Sequence, residues 1–216
     1  MTVKTNKPAP RLARAAHGQR RGDLLEAGRA CFAESGVEGT TVEELLERSG
    51  ASVGSLYQHF QGKDGLAAAL YLEGMEMFFG KARDRLRSAR TTADGAKALV
   101  RAYFDCAEAD PQMVSFLIEA RTYLDKTRYA AEIERKNAEF MPEVAAWFRD
   151  RIKARELREI APDYIMAIIE GPARHYVKRW LASPTLSLHE AREVLAQAAW
   201  DALRRPQQER SVPRRP

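Results

Sequence analysis

The residues best suited to chemistry lie close together in the run GASVGSLYQHFQGKD, which spans positions 50–64. Small residues come first and hydrogen-bonding side chains follow, none of them in a nucleophile–base or metal-ligand spacing. The chemistry they offer is non-covalent, because hydroxyl, amide, imidazole and ammonium groups can together engage a partner rich in acceptors, such as nucleic-acid phosphates and base edges. The candidates in this run for contact with such a partner are Ser52, Ser55, Tyr57, Gln58, His59 and Lys63.

Two short helices are predicted to present these residues. Thr41 and Glu44 have capping-box spacing, which predicts a helix over 42–48, and Ser52 can cap a second helix over 53–60. The turn between them is about three residues long and contains Gly50. This arrangement predicts a helix-turn-helix, in which the second helix enters the major groove of DNA.

The residues of the two short helices divide into an inner and an outer set. The inner set is apolar and consists of Val42, Leu45, Leu46, Leu56 and Phe60. The outer set begins with Ser52, Val53, Gly54 and Ser55, whose small size would allow close approach to base edges. Tyr57, Gln58 and His59 would then stand near the groove walls, and Lys63 would hold a phosphate at the start of the next helix. The alternative is a helical hairpin whose polar side faces water, although such a face more often carries Glu and Lys pairs.

The rest of the chain predicts an all-α protein of about nine helices, with no period-two run long enough for a strand. Gly36 is predicted to stop the first helix, while Pro142 and Pro172 are predicted to kink or interrupt later ones. Four segments follow: a basic arm (1–22), a helix-turn-helix domain (23–63), a helical ligand-binding and dimerisation domain (64–205) and a disordered tail (206–216). The other predicted helices are 23–35, 64–88, 94–108, 111–123, 127–154, 162–181 and 188–204.

Charge and composition narrow the class of protein. The net charge is +5, yet residues 1–22 carry six basic residues and no acid, and residues 204–216 carry five arginines against one glutamate. The body between them is therefore mildly acidic, which suggests either a polyanion partner or two solubilising tails. We find no apolar run long enough to cross a bilayer and no signal peptide, so a cytoplasmic location is expected.

Enzyme, metal and cofactor chemistry find no support in the sequence. Cys31 and Cys106 are far apart and suggest neither a disulfide framework nor a metal cluster. The four histidines show no ligand spacing, and no nucleophile elbow, phosphate-binding loop or dinucleotide-binding motif is present. We therefore expect no catalytic residues, no metal and no cofactor.

The stretch from Leu24 to Leu66 resembles the N-terminal domain of the TetR family of bacterial transcription regulators. The resemblance rests on a first helix ending in FAESG at 32–36, then GTTV at 39–42, then GSLYQHF at 54–60 and Lys63. The predicted helices that follow also suit the variable ligand-binding and dimerising domain of that family. The resemblance implies a homodimer that binds a palindromic operator in double-stranded DNA, usually as a repressor released by a small molecule.

Site residues carried over from this resemblance fall into two groups. Thr41, Tyr57, His59 and Lys63 match phosphate contacts, whereas Ser52, Val53, Ser55 and Gln58 match the base-reading set. Many relatives have Arg or Lys where this chain has Val53. That difference suggests apolar contact with a thymine methyl group and leaves Gln58 as the best polar reader, with adenine as a candidate base.

An effector site is expected among the middle helices, lined by an apolar and aromatic cluster with a few charged residues. Plain core packing and ordinary salt bridges are the alternatives for every member of this set. Cys106 could sense thiol chemistry, although no nearby residue would lower its pKa. The candidate ligand-binding residues are Tyr103, Phe104, Phe116, Glu119, Tyr123, Trp147, Ile168 and Arg174.

The last two helices, within 162–204, are predicted to form the homodimer. Each carries an apolar stripe with small residues, although such stripes could also pack only on their own subunit. A different reading of the whole chain is an architectural or protein-partnered DNA-binding regulator with no small-molecule ligand. It would share every feature of the first 64 residues.

Overall fold

The structure, a computed structural model, describes residues 10–183 and 187–206, and the side chains from residue 18 onward. The fold is all-α, as the sequence predicts, and the described residues form nine helices and no strand beyond one isolated bridge. Most predicted helices lie within three residues of the observed ones. The helices are α1 (Pro10–Gly39), α2 (Val42–Ser49), α3 (Val53–Phe60), α4 (Lys63–Ser88), α5 (Thr92–Ala109), α6 (Pro111–Leu124), α7 (Ala130–Lys153), α8 (Pro162–Ala182) and α9 (Leu188–Leu203).

Helix α1 differs most in length from its prediction, which is a helix over 23–35. It begins at Pro10, so residues 10–22, which the sequence assigns to a basic arm, are helical. Arg20 and Arg21 lie on this extension: the Arg20 guanidinium donates to the Gly50 carbonyl at 3.3 Å, and Arg21 lies over the Phe60 ring. Gly36 (φ 69°, ψ 170°), where the first helix is predicted to stop, interrupts the helical backbone and kinks α1, because glycine adopts a positive φ without steric cost.

Two internal prolines do not interrupt their helices. Helix α7 continues through Pro142 and α8 through Pro172, so the predicted interruptions are wrong, while the alternative of a kink at each proline stays a prediction. Both prolines are exposed, and water can satisfy the backbone carbonyl that each one leaves without an N–H partner. Apolar packing on the opposite face of each helix outweighs this local cost.

The chain divides into two compact units, whereas the predicted domain boundary at 63/64 stays a prediction. One unit comprises the residues up to Glu76 together with Gln112–Lys136, and the other comprises Met77–Pro111 with the residues from Asn137 onward. In the first unit, Leu24, Leu45 and Leu56 are fully buried, and the rings of Phe32 and Phe116 stack at 5.7 Å. This core holds α2 and α3 in place.

The second unit is organised around α5, which packs against both α8 and α9. Phe104 from α5, Val177 from α8 and Leu203 from α9 are almost completely buried. Gly95 allows close approach in this unit, since a β-carbon there would overlap the Trp147 ring. No helix in the described part of the chain is long and apolar enough to span a membrane.

Candidate nucleic-acid interface

Reciprocal hydrogen bonds fix the start of α2. The Thr41 hydroxyl accepts from the Glu44 backbone N–H at 3.2 Å, and the Thr41 N–H donates to the Glu44 carboxylate at 2.8 Å. This is the predicted capping box. The backbone bond from Thr41 lowers the pKa of Glu44, because it stabilises the ionised carboxylate. Gly50 then ends α2 in the left-handed conformation (φ 61°) and turns the chain toward α3.

Helix α3 has one buried and one open side, as the sequence predicts. Leu56 and Phe60 are buried, whereas Val53 and Tyr57 are 53% and 56% exposed, which is unusual for large side chains. Gln58 is also exposed, and His59 is half-buried. The Ser52 hydroxyl accepts the Ser55 backbone N–H at 3.2 Å and so caps the helix. The open side therefore starts small and polar and ends with larger hydrogen-bonding groups.

Two consecutive left-handed residues end α3. Gln61 (φ 60°) donates its backbone N–H to the Tyr57 carbonyl at 3.0 Å, and Gly62 follows with φ 110°. The Tyr57 ring lies against this turn, 3.6 Å from the position that a β-carbon on Gly62 would occupy. The turn therefore supports the exposed Tyr57 ring from beneath.

Lys63 has partners within its own unit. Its ammonium nitrogen lies 2.7 Å from the Thr40 carbonyl and 3.5 Å from the Glu38 carbonyl, at the end of α1 and just before the Thr41 cap. An ammonium group has three donors, so this position leaves capacity for a further acceptor. The phosphate contact assigned to Lys63 stays a prediction, and the structure adds a role in holding the start of α2.

The connection between α6 and α7 contacts the far end of α3, and sequence reasoning missed this. The Tyr129 hydroxyl donates to the Phe60 carbonyl at 3.2 Å, and Arg128 donates to the Gln61 side-chain oxygen at 2.8 Å. The Tyr123 hydroxyl donates to the Asp64 carboxylate at 2.6 Å. The only local signal is a cluster of hydroxyl and charged residues, TYLDKTRY at 122–129, which spans the end of α6 and the short connection after it.

Gly65 makes this close packing possible. A β-carbon at Gly65 would overlap the Phe60 carbonyl oxygen and lie 2.5 Å from the Tyr129 hydroxyl. Only glycine therefore allows the first turn of α4 to approach the end of α3 this closely. The position of α3 depends on contacts from α1, α4 and the α6–α7 connection together.

The candidate ligand-binding residues are divided between the two units. Phe116, Glu119 and Tyr123 belong to the first, and the other five belong to the second. Phe116 stacks on Phe32, Glu119 is exposed, and Arg174 lies 3.9 Å from the Glu170 carboxylate. Tyr103, Trp147 and Ile168 are half-buried and Phe104 is buried. The effector site stays a prediction.

Neither cysteine has the character of a reactive thiol. Burial raises the pKa of Cys31, and it raises the pKa of Cys106 to about 11. A thiol with a raised pKa carries little thiolate at neutral pH and reacts slowly. In the described ranges, no group of three or more His, Cys, Asp or Glu residues is placed to hold a metal ion.

The fold and the geometry of α2 and α3 define a protein of the helix-turn-helix class, and comparisons with known proteins agree. Residues 24–70 match the family described as bacterial regulatory proteins, tetR family. The chain is 32% identical over 112 residues to the HTH-type transcriptional repressor KstR2 of Mycobacterium tuberculosis, an alignment that covers 51% of this chain and 56% of that protein. It is 30% identical over 116 residues to the HTH-type transcriptional activator FasR of Mycolicibacterium smegmatis, covering 54% and 52%.

A solved structure extends the likeness of the fold to most of the chain. A TetR family transcription regulator from Marinobacter aquaeolei VT8 aligns with a TM-score of 0.75 and 19% identity, over 88% of this chain and 98% of that one. In sequence, the chain spans about half the length of the curated relatives it matches. The chain is therefore similar to the TetR family of bacterial regulators in the sequence of residues 24–70, and its fold resembles that of a TetR family regulator over most of its length. The relatives it resembles are named as transcriptional regulators, not as enzymes.

Proposed function

We propose that this protein is a sequence-specific DNA-binding transcriptional regulator, and that it acts as a homodimeric repressor on a palindromic operator. The observation that carries the proposal is the open side of α3, where Val53 and Tyr57 are more than half exposed beside an exposed Gln58. Small residues at the start of that side permit close approach to base edges. Action on chromosomal DNA implies a cytoplasmic location.

Separate roles follow for the residues of this interface. Ser52, Val53, Ser55 and Gln58 read base edges, with Val53 offering a methyl contact and Gln58 a polar one. Thr41, Tyr57, His59 and Lys63 hold phosphates and set the register of the helix on the duplex. Arg20 and Arg21 add positive charge next to the ends of α2 and α3.

Helices α8 and α9 provide the dimer contact in this proposal. Ile165, Ile169 and Val177 of α8 are buried in their own unit, but Tyr164 is 67% exposed, and Val194 of α9 is 59% exposed. These outward apolar residues support an interface with a second copy of the chain. Without that interface, they would stay exposed to water. A two-fold dimer would place its reading helices one turn of DNA apart, roughly 34–36 Å, or a multiple of that.

A small, largely apolar or aromatic effector is proposed to release the repressor. The mechanism requires the effector to favour a non-binding state of the protein, since equal affinity for both states would shift nothing. Helix α4 contributes residues to both compact units, so its movement could alter the separation of the two reading helices. The relatives include a repressor and an activator. Activation of transcription through the same DNA contact is therefore the alternative to repression that has to be tested.

The experiment that tests the proposal is selection of bound sequences from a random duplex pool at about 0.15 M salt. A palindromic consensus with a defined half-site spacing supports a sequence-specific dimer and supplies the probe for effector screening. Binding without a consensus would overturn the proposal in favour of an architectural role. Analytical ultracentrifugation of wild type and of a Val194→Glu variant tests the proposed interface, because a buried charge should shift the dimer toward monomer.

A further inference from the structure

Two connecting segments of the second unit are joined by main-chain hydrogen bonds. Leu157, in the connection after α7, forms an antiparallel bridge with Arg204, which follows α9. The Arg158 N–H donates to the Leu203 carbonyl at 2.9 Å, and the Arg205 N–H donates to the Glu156 carbonyl at 3.2 Å. These bonds fix the backbone of both segments, so the side chains they carry have defined starting positions.

A cavity of about 580 Å³ lies where these segments meet, and we call it the cationic groove. Leu157, which is 3% exposed, and Ile152 give it an apolar part. Four basic residues and one acidic residue make up the remainder of its lining. They are Lys153, Arg155, Arg158, Arg205 and Glu159.

The groove keeps a net positive charge within the described residues, because four cations line it against the single carboxylate of Glu159. The nearby Glu156 carboxylate lies 3.8 Å from Arg151 and also accepts from the Thr92 hydroxyl. None of the four lining cations has a carboxylate within 4 Å in the part of the chain that the structure describes. Like charges that line one groove repel one another, and a bound anion would relieve that repulsion.

Arg155 occupies a backbone position that normally belongs to glycine. Its φ is 61°, and it ends α7 while donating its N–H to the Ile152 carbonyl at 2.9 Å. Glycine adopts this conformation without steric cost, whereas a side chain there introduces strain. An arginine at such a position is a reason to look for a function of its side chain.

Arg158 is oriented by a main-chain partner. Its Nε donates to the Arg204 carbonyl at 3.2 Å, which fixes the plane of the guanidinium and leaves the terminal nitrogens able to donate elsewhere. A guanidinium fixed in this way matches the paired oxygens of a phosphate. The groove thus combines an oriented arginine, three further cations and an apolar wall.

We propose that the cationic groove binds a small organic phosphate, with its phosphate held by Arg155 and Arg158 and its apolar body against Ile152 and Leu157. The volume lies within the range of small-molecule sites, and the concave shape does not suit a DNA duplex, which helix-turn-helix proteins read with a protruding helix. The groove belongs to the second unit and α3 to the first, and the two share no residue. It contains none of the residues proposed above for the effector.

The probe for this site is 1-naphthyl phosphate, titrated by equilibrium dialysis into the full-length protein, with inorganic phosphate as a comparison. We expect saturable binding of one probe per chain, tighter than that of inorganic phosphate because of the apolar wall. Arg158→Gln and Arg155→Gly should each weaken the probe at least tenfold. Arg87→Gln is the matched control, since Arg87 lies in the same unit but pairs with Glu143 outside the groove.

Arg155→Gly also separates loss of function from loss of fold. Glycine suits a φ of 61°, so this variant should melt at or above the temperature of wild type while binding the probe more weakly. Equal probe binding by wild type and both groove variants would overturn the proposal. The proposal would also be overturned if duplex DNA displaced the probe and the groove variants bound DNA more weakly. The groove would then be a nucleic-acid surface. Selection of a consensus DNA sequence depends on α3 and not on the cationic groove. A failure of the proposed DNA-binding function and a failure of the proposed phosphate site can therefore be told apart.

Discussion

The hydroxyl of Tyr123, near the end of α6, donates a 2.6 Å hydrogen bond to the carboxylate of Asp64, in the first turn of α4. Asp64 is also favoured there by the positive end of the helix dipole. Burial, followed by this bond and the charge of Asp64, raises the pKa of Tyr123 to about 12. The pair therefore ties the end of α6 to the residue that follows the candidate phosphate contact Lys63.

A Tyr123→Phe substitution tests the stabilising effect of this pair. We expect the free energy of unfolding to fall by about 1 kcal/mol, because the bond is lost and Asp64 is left without its donor. Urea denaturation at fixed protein concentration measures the change. Thr122→Val, an exposed neighbour on α6, is the control and should stay within about 0.5 kcal/mol of wild type.

The same pair predicts a pH dependence. Folding raises the pKa of Tyr123 from its ordinary value of 10 to about 12, so the neutral phenol is the form that the folded state stabilises. Its contribution should be fully present below pH 10 and lost as the pH rises through 12. The difference in unfolding free energy between wild type and Tyr123→Phe should therefore shrink across that window. A difference that stays constant up to pH 12 would contradict the assignment.

Substitution of Gly65 tests the close approach of α4 to α3. Gly65→Ala should destabilise the protein by about 1–3 kcal/mol or more, because the added methyl group overlaps the Phe60 carbonyl. Gly80→Ala is a matched control on the same helix, since a β-carbon there meets no atom within 4 Å. That variant should gain up to about 1 kcal/mol from helix propensity. Thermal melts of the two variants should shift in opposite directions, and a shared direction would count against the packing argument.

Gln58 and Tyr57 are neighbours with different proposed roles, and paired variants separate them. Gln58→Ala should relax the preference at one base position in each half-site, costing about 1–3 kcal/mol of discrimination there. Tyr57→Phe keeps the exposed ring but removes the hydroxyl, so binding should weaken by a similar factor on every sequence. Selection from a random pool followed by affinity measurement distinguishes the two. A uniform loss for Gln58→Ala would remove that residue from the base-reading set.

Local sequence patterns predict the helices of the interface well, but they do not predict the long-range contacts that hold those helices in place. Helices α2 and α3 follow from the caps at Thr41 and Ser52, because capping is a short-range interaction that spacing alone reveals. The bond between Tyr129 and Phe60 joins residues 69 positions apart, and no local pattern encodes it. The start of α1 at Pro10 was missed because charge suggested an arm, although LARAAHGQRR is also compatible with a helix.

Lys63 combines two roles that one substitution can distinguish, since its ammonium bonds to the Thr40 and Glu38 carbonyls and is also proposed to hold a phosphate. Lys63→Ala should lower stability by about 1–2 kcal/mol through the lost main-chain bonds. It should also weaken binding to all DNA sequences and reduce the salt slope, the change of log K with log salt concentration, by about 0.9.

Lys126→Ala, a charge-matched change at an exposed residue, is the control for net charge. Operator affinity measured between 50 and 200 mM salt gives the slope for each variant. A Lys63→Ala protein that is destabilised yet keeps the wild-type slope would assign Lys63 to holding the start of α2 alone, because only a lost phosphate contact reduces counterion release.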